Sequence, residues 1–248
     1  MPTYFVTDIH GELEKFEALL ERLSPKPTDE LILGGDYVDR GPDSYGVVER
    51  VRRLRTECRL VALRGNHDAE FARGIVAAER AGDRHDATTD PLWAHGAERT
   101  YESYVRAGVH PREHLAFYAS LDNYHVRGDK LFVHAGMHRH HTIANPTFNS
   151  ERVLIWDRDF LKLAYFDNET CERWQRTGSF GTKEDFAMVF LGHTPVQMFD
   201  DARRAPMLLR HSRVMACDTG AGKYPDAVLY AVDVDTLEVI GHDGSRAA

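Results

Sequence analysis

Carboxylate, imidazole and amide side chains recur at the ends of five short apolar runs in this 248-residue chain. Tyr4-Phe5-Val6 leads into Asp8 and His10. Leu31-Ile32-Leu33 passes through Gly34-Gly35 to Asp36, with Asp39-Arg40-Gly41 behind it. Val61-Ala62-Leu63 passes through Arg64-Gly65 to Asn66-His67-Asp68. Leu131-Phe132-Val133 runs directly into His134, and Val189-Phe190-Leu191 reaches His193 through Gly192. Nitrogen and oxygen ligands with no cysteine among them suit a catalytic cluster of divalent cations. Asp8 and His10 are two apart, so on an extended strand they share a face and can touch one ion. Asp36 has two oxygens and can bridge two ions, Asn66 brings a neutral amide oxygen, and His134 and His193 bring imidazoles. Six such groups suffice for two ions ~4 Å apart, which would lower the pKa of water toward ~7 and neutralise the oxygens of an in-line displacement. Phosphate-ester hydrolysis needs both effects, because the uncatalysed reaction is extremely slow.

The neighbouring residues fit the same chemistry. Arg40 and Arg158 each offer a planar fork for phosphate oxygens. With Asn66 turned toward the ions, His67 is better placed as the general acid for a leaving alkoxide. Asp39 can orient that ring and hold its imidazolium form. The glycines at 34, 35, 41, 65 and 192 let the backbone turn tightly beside the cluster.

Short apolar runs bounded by glycine read as buried strands, and open α/β sheets bind at the carboxyl ends of their strands. Between the runs, Leu13, Phe16, Leu19, Leu20 and Leu23 recur at helical spacing until Pro25 and Pro27. Asp43-Ser44 can cap a helix carrying Val47, Val48, Val51 and Leu54 inward. This β-α-β-α-β alternation is the pattern of a layered α/β domain. From Ala69 to Leu121 the pattern is mostly helical, broken near Gly82 to Pro91 and near Gly108 to Pro111. Two strands flank Gly128-Asp129 as a hairpin. The stretch from Pro146 to Glu184 has no readable order. The last third reads as strands at Met188 to Leu191, Met207 to Arg210, Val214 to Cys217, Ala227 to Val234 and Glu238 to Ile240. The expectation is one α/β domain over residues 1–248, with two mixed β-sheets and helices outside.

The chain is 42% hydrophobic with a formal charge of -8. It lacks the basic field that draws nucleic acid or an anionic membrane, so neither is expected as a partner. A bound cation cluster would still leave the site locally positive. Cys58, Cys171 and Cys217 form no CxxC pair, and an odd count argues against a disulfide framework. With no signal-peptide pattern and no long apolar span, the cytoplasm is the expected setting.

Three blocks resemble the signature motifs of the calcineurin-like metallophosphoesterases: Asp8-Ile9-His10-Gly11, Gly35-Asp36-Tyr37-Val38-Asp39-Arg40-Gly41 and Gly65-Asn66-His67-Asp68. Val133-His134-Ala135-Gly136, Leu154-Ile155-Trp156-Asp157-Arg158, Leu191-Gly192-His193-Thr194-Pro195 and Asp218-Thr219-Gly220-Ala221 extend the likeness. Within that family the chain is similar to the phosphoprotein phosphatase group, closest to the phage lambda-type and bacterial serine/threonine protein phosphatases. The resemblance implies two mixed sheets packed as a sandwich between helices. It implies a first metal site from Asp8, His10 and Asp36 and a second from Asp36, Asn66, His134 and His193. It further implies phosphate ligands at Arg40 and Arg158, and an acid with its orienting partner at His67 and Asp39. The cofactors would be two divalent ions, manganese foremost, with iron, zinc, nickel or cobalt admitted by the same ligands. The implied reaction is single-step attack of metal-bound hydroxide on a phosphomonoester of protein serine or threonine, without a phosphoenzyme. The substrate would be a phosphoprotein, phosphopeptide or small phosphate ester.

The alternative is a symmetrical bis(5'-nucleosyl)-tetraphosphatase acting on diadenosine tetraphosphate. Those hydrolases share the blocks but tend to carry an uncharged residue where this chain has Asp39. A binding protein on the same scaffold should have lost ligands or the acid, and none is missing. Asp68 stands where eukaryotic-type members have Glu, and His95 where similar sequences tend to have Asn-Gly-Gly. His138, His140 and His141 read as a solvated loop, Cys217 as a core residue, and Trp93, Trp156 and Trp174 as packing anchors.

Overall fold

The computed structural model describes residues 1–81, 96–174, 182–184 and 186–247. Two sheets lie face to face. The first has β1 (Thr3–Val6), β2 (Glu30–Leu33) and β3 (Arg59–Ala62), which run parallel, with β9 (Tyr230–Asp233) antiparallel to β1 and β10 (Val239–Gly241) and β11 (Arg246–Ala247) beyond it. The second has β4 (Tyr124–Arg127) and β5 (Lys130–Val133) as a hairpin. Next come β6 (Met188–Leu191) and β8 (Val214–Ala216), parallel to β5, and then β7 (Met207–Leu209) at the edge.

The period-2 alternation of side chains divides the apolar residues into three layers. Phe5, Ile32, Phe132, Phe190 and Val232 face the gap between the sheets, where the Phe132 and Phe190 rings stack with centroids 4.9 Å apart. Val6, Leu31 and Leu33 face the other way, onto α1 (Leu13–Leu23) and α2 (Ser44–Leu54). Leu131, Val133, Val189 and Leu191 face α6 (Glu151–Trp156) and α7 (Asp159–Trp174). Helices therefore flank both sheets, as expected. Truncating a core phenylalanine such as Phe132 to alanine would cost about 3–5 kcal/mol.

The helices of the first half obey the sequence signals. α1 buries Phe16, Leu19 and Leu20. Asp43 caps α2 by accepting the Gly46 N–H at 2.8 Å. After β3 come α3 (Asn66–Ala81), α4 (Ala97–Ala107), a 3-10 turn at Pro111–His114 and α5 (Leu115–Ala119). The break near Gly108 is present. The one near Gly82 to Pro91 lies outside the described residues, as do Trp93 and His95.

The unreadable stretch after Pro146 contains two helices. α7 buries Phe160, Leu161, Ala164 and Asn168 at helical spacing, a stripe partly obscured by the polar Asn168. Trp156 is not a packing anchor: it is 38% exposed, with its ring 6.2 Å from that of His193. Its position at the carboxyl end of α6 turns it toward the site. Cys58 and Cys217 are buried free thiols. Among the described residues, no helix is long and apolar enough to cross a membrane.

Candidate metal centre

The loops leaving β1, β2, β5 and β6 are tied to one another at the carboxyl ends of both sheets. Asp8 and His10 donate backbone N–H bonds to the Gly35 and Asp36 carbonyls at 3.0 and 2.9 Å, and Gly192 donates to the His134 carbonyl at 2.8 Å. The His193 N–H reaches the Asp8 carboxylate at 3.1 Å, joining one sheet to the other. The turn carrying Asn66 joins them through the His67 backbone N–H, which reaches Asp36 Oδ1 at 3.0 Å. All six expected ligands are at least 94% buried.

The ligand residues themselves absorb the turns. Among the described residues, nine that are not glycine have positive φ, and six of them are site residues: Asp8, His10, Asp36, Asp39, Arg40 and His193. Such backbone costs ~1–3 kcal/mol per residue and persists only where surrounding contacts impose it. The glycines serve a second purpose, close approach. A Cβ on Gly65 would lie 2.0 Å from Asp36 Oδ1.

The imidazole tautomers follow from their partners. His10 Nδ1 lies 2.8 Å from the Val38 carbonyl, and His134 Nδ1 lies 2.8 Å from that of Gly34. A carbonyl only accepts, so both Nδ1 atoms carry the proton and both Nε2 atoms present a lone pair. Burial lowers the pKa of both rings, which keeps them neutral. Burial, with His134 and Arg158 nearby, pushes His193 down to about 2.

Asp36 Oδ2 then sits between two lone pairs, 3.4 Å from His10 Nε2 and 3.5 Å from His134 Nε2. Burial works against ionisation of Asp36, but His134, His67, His10 and Arg40 hold its carboxyl below the usual range. Asn66 Oδ1 lies 3.1 Å from His134 Nε2 and 2.9 Å from His193 Nδ1. Among the described residues, His193 Nε2 is buried with no hydrogen-bond partner. Acceptors converging on acceptors is the arrangement a cation resolves, and carbonyl-oriented histidines are typical of metal ligands. The donor set therefore fits two divalent cations, with Asp36 placed to touch both.

One grouping differs from the sequence expectation. The ligand atoms of Asp36, His134 and His193 lie within 4.8 Å of one another, and so do those of His10, Asp36 and His67. His67 takes the place expected of Asp8 in the second triad. His67 is also held by a carboxylate outside the triad. His67 Nδ1 is 2.6 Å from Asp39 Oδ2, and its Nε2 lies 3.0 Å from Arg40 Nη2. Asp8 Oδ1 remains 4.0 Å from His10 Nε2, while its Oδ2 accepts the Thr7 hydroxyl at 2.6 Å. Burial and the carboxylates of Asp218 and Asp36 raise the Asp8 pKa, a crowding that bound cations would relieve.

Arg40 spans two rings, with Nη1 donating to His10 Nε2 at 2.7 Å. Arg158 lies beyond His193, its Nη1 3.4 Å from Thr194 Oγ1 and 3.7 Å from Met198 Sδ. The carboxylates beside Arg158 in sequence are engaged elsewhere: Asp157 accepts the Phe160 N–H at 2.7 Å, and Asp159 faces Lys162 at 3.7 Å. His138 and His140 are exposed in the loop after β5 and belong to neither triad.

Sequence reasoning assigned no role to three buried residues. Asp68 accepts the backbone N–H groups of Asp36, Tyr37 and Gly65 at 2.7–2.9 Å. Asp218 has Oδ2 buried without a partner among the described residues. Thr100 bonds Asp39 at 2.6 Å. Asp68 and Asp218 lie in motif blocks that could have flagged them. Thr100 carries no such signal.

The chain belongs to the calcineurin-like phosphoesterase family, which matches residues 1–197. That family uses a binuclear divalent-metal site. The symmetrical bis(5'-nucleosyl)-tetraphosphatase of Pectobacterium atrosepticum (strain SCRI 1043) is 49% identical over 99 residues, covering 40% of this chain and 34% of that protein. Its counterpart in Baumannia cicadellinicola subsp. Homalodisca coagulata is 45% identical over 69 residues, covering 27% and 23%. The chain thus spans a quarter to a third of the length of these curated relatives. The fold is shared with the cold-active protein-tyrosine phosphatase of a psychrophilic Shewanella, at TM-score 0.59 and 15% identity over 99% of this chain and 79% of that one. It is shared also with a metallophosphoesterase from Sphaerobacter thermophilus, at TM-score 0.53 and 20% identity over 100% and 89%.

Proposed function

We propose that this metallophosphoesterase hydrolyses phosphomonoesters of serine and threonine side chains in proteins. The observation that carries this reading is the buried contact between His67 Nδ1 and Asp39 Oδ2 at 2.6 Å. An alkoxide leaving group is strongly basic and needs a proton as the P–O bond breaks. A nucleotide phosphate leaving group, with a second pKa of about 6, does not. An intact carboxylate–imidazole pair is therefore of most use to an enzyme that expels an alkoxide. Burial lowers the affinity of His67 for its proton, but the Asp36 and Asp39 carboxylates outweigh it and the pKa is raised, which favours the donor form.

The geometry supports the remaining roles in this reading. Asp8, His10, Asp36, Asn66, His134 and His193 hold two divalent cations, manganese being our first choice, and Arg40 and Arg158 grip the phosphoryl oxygens. Bound there, the cations supply Lewis acidity and a water of lowered pKa. His67 donates to the leaving oxygen, and Asp39 keeps its ring in register. The buried thiols and the net charge of -8 support a cytoplasmic setting without nucleic-acid or membrane partners.

Cleavage of dinucleoside tetraphosphates is the second reading, favoured by the 49% identity to a symmetrical tetraphosphatase over 99 residues. The test is phosphate release from a phosphoserine or phosphothreonine peptide, measured beside cleavage of diadenosine tetraphosphate under the same metal conditions. The peptide is expected to be the better substrate. Efficient cleavage of the dinucleotide alone would replace the first reading with the second.

A further inference from the structure

The amino end of α4 is built around Asp39 and Arg40. These adjacent residues both hold left-handed backbone, with φ of 72° and 68°. The Gly96 carbonyl accepts the Arg40 N–H at 3.4 Å, and Arg99 Nη1 donates to the Arg40 carbonyl at 3.1 Å. A Cβ at Gly96 would lie 2.5 Å from the Arg40 nitrogen, so this approach needs glycine. One turn further on, the Thr100 hydroxyl accepts the Asp39 N–H at 2.8 Å and donates to Asp39 Oδ1 at 2.6 Å. Ser44 Oγ lies 3.1 Å from Thr100 Oγ1 and also accepts the Asp39 N–H at 3.1 Å.

A hydroxyl has one hydrogen and two lone pairs. For Thr100 the hydrogen goes to the carboxylate, one lone pair to the Asp39 amide and the other to the Ser44 hydroxyl. Its full bonding capacity is therefore used at one position, and Thr100, Ser44 and Asp39 are all completely buried. A carboxylate is planar, so fixing Oδ1 also fixes the direction of Oδ2. Asp39 Oδ2 is the atom that meets His67 Nδ1.

We propose that Thr100 is a positioning residue for the proton donor. It holds the Asp39 carboxylate in the rotation that aims His67 Nε2 at the leaving oxygen. The proposal rests on the reading of His67 as general acid and adds to it the residue that sets the aim. α4 thereby becomes part of the catalytic apparatus, though none of its residues need touch substrate.

The test compares Thr100→Val, which keeps the shape and removes the hydroxyl, with Thr100→Ser, which keeps the hydroxyl. A phosphoserine peptide demands a proton donor, and p-nitrophenyl phosphate does not. For Thr100→Val, kcat on the peptide should fall about 10-fold or more, within the range a general acid supplies. KM on the peptide and turnover of p-nitrophenyl phosphate should hold, and Thr100→Ser should recover most of the loss. A crystal structure of Thr100→Val should show Asp39 Oδ2 moved out of hydrogen-bond distance from His67 Nδ1. If Thr100→Val does not fold, Thr100→Ala is read by the same measures. His67→Asn is assayed in parallel. A selective loss in His67→Asn with none in the Thr100 variants overturns the positioning role alone. Absence of selectivity in His67→Asn overturns the acid reading, and this inference with it.

Discussion

Asp68 Oδ2 accepts the backbone N–H of Asp36 at 2.7 Å, across 32 positions of sequence. The same oxygen takes the Gly65 N–H at 2.9 Å, and Oδ1 takes that of Tyr37 at 2.9 Å. One completely buried carboxylate in the first turn of α3 thus fastens the turn that carries Asp36 to the turn that carries Asn66. Asp68→Ala would leave three buried donors without acceptors. A loss of about 3 kcal/mol or more is expected, since each stranded buried donor costs about 1–3 kcal/mol. Urea unfolding measures it, and a loss under about 1 kcal/mol would show that water or a shifted loop satisfies those groups.

Asp36→Asn tests the bridge. Its Oδ2 is shared almost equally between His10 and His134, and its Oδ1 accepts the His67 N–H at 3.0 Å. The amide keeps the shape but loses the charge that both cations would feel. Turnover should fall about 100-fold or more, and metal analysis of the purified variant should find fewer than two ions per chain. Near-normal activity with two ions retained would exclude the bridging role.

The six candidate ligands and the strands beneath them were legible because each lies within four residues of a short apolar run, so local pattern carried the information. What the ligands do with their backbone was not. The left-handed φ of Asp36 depends on the packing of Gly65 against its side chain, 29 residues away. Pattern reading credited the turns to glycine, where aspartate and histidine in fact share the strain. Thr100 was invisible for the same reason: it is 61 positions from Asp39, in a helix whose burial pattern explains it without any function. α6 and α7 were unreadable because a buried Asn168 and an exposed Trp156 interrupt the apolar signal. Trp156 was misjudged because large aromatic rings usually pack, whereas this one borders a site.

Metal removal should reveal the crowding of carboxylates through pH. Burial and Asp36 push Asp68 up to about 7, and burial foremost brings Asp218 to about 6. Unfolded aspartates titrate near ~3.9. The folded chain therefore keeps protons that the unfolded chain releases. The associated stability is complete below ~3.9 and is lost as pH rises through the two folded values. Asp36, shifted the opposite way, contributes a constant amount above ~3.9. His10, His134 and His193, kept neutral by burial, work the other way and add stability as pH rises to ~6.5. Metal-free protein should accordingly melt at lower temperature as pH goes from about 6.5 to 8, where those rings are neutral in both states. Manganese should restore stability, and by more at pH 8, because its ligands must be deprotonated. At 100 times Kd the gain is about 2.7 kcal/mol, or roughly 5–10 °C for a chain of this size. A manganese shift that is the same at pH 5 and pH 8 would contradict this.

Arg158 should govern affinity for the phosphoryl group. Among the described residues, its guanidinium contacts only the neutral Thr194 hydroxyl and Met198 thioether, while the carboxylates beside it in sequence have other partners. An uncompensated cation next to the His134 and His193 rings invites an anion, and a planar fork can hold two phosphoryl oxygens where an ammonium holds one. A charged hydrogen bond contributes about 1.5–3 kcal/mol, or roughly 10–100-fold in affinity. Arg158→Ala should raise both KM for phosphoesters and the inhibition constant for inorganic phosphate by about that factor. Arg158→Lys should recover part of the loss, since it keeps the charge without the fork. The phosphate inhibition constant separates binding from chemistry. If it stays unchanged while kcat collapses, Arg158 acts on the transition state alone and the ground-state clamp is excluded.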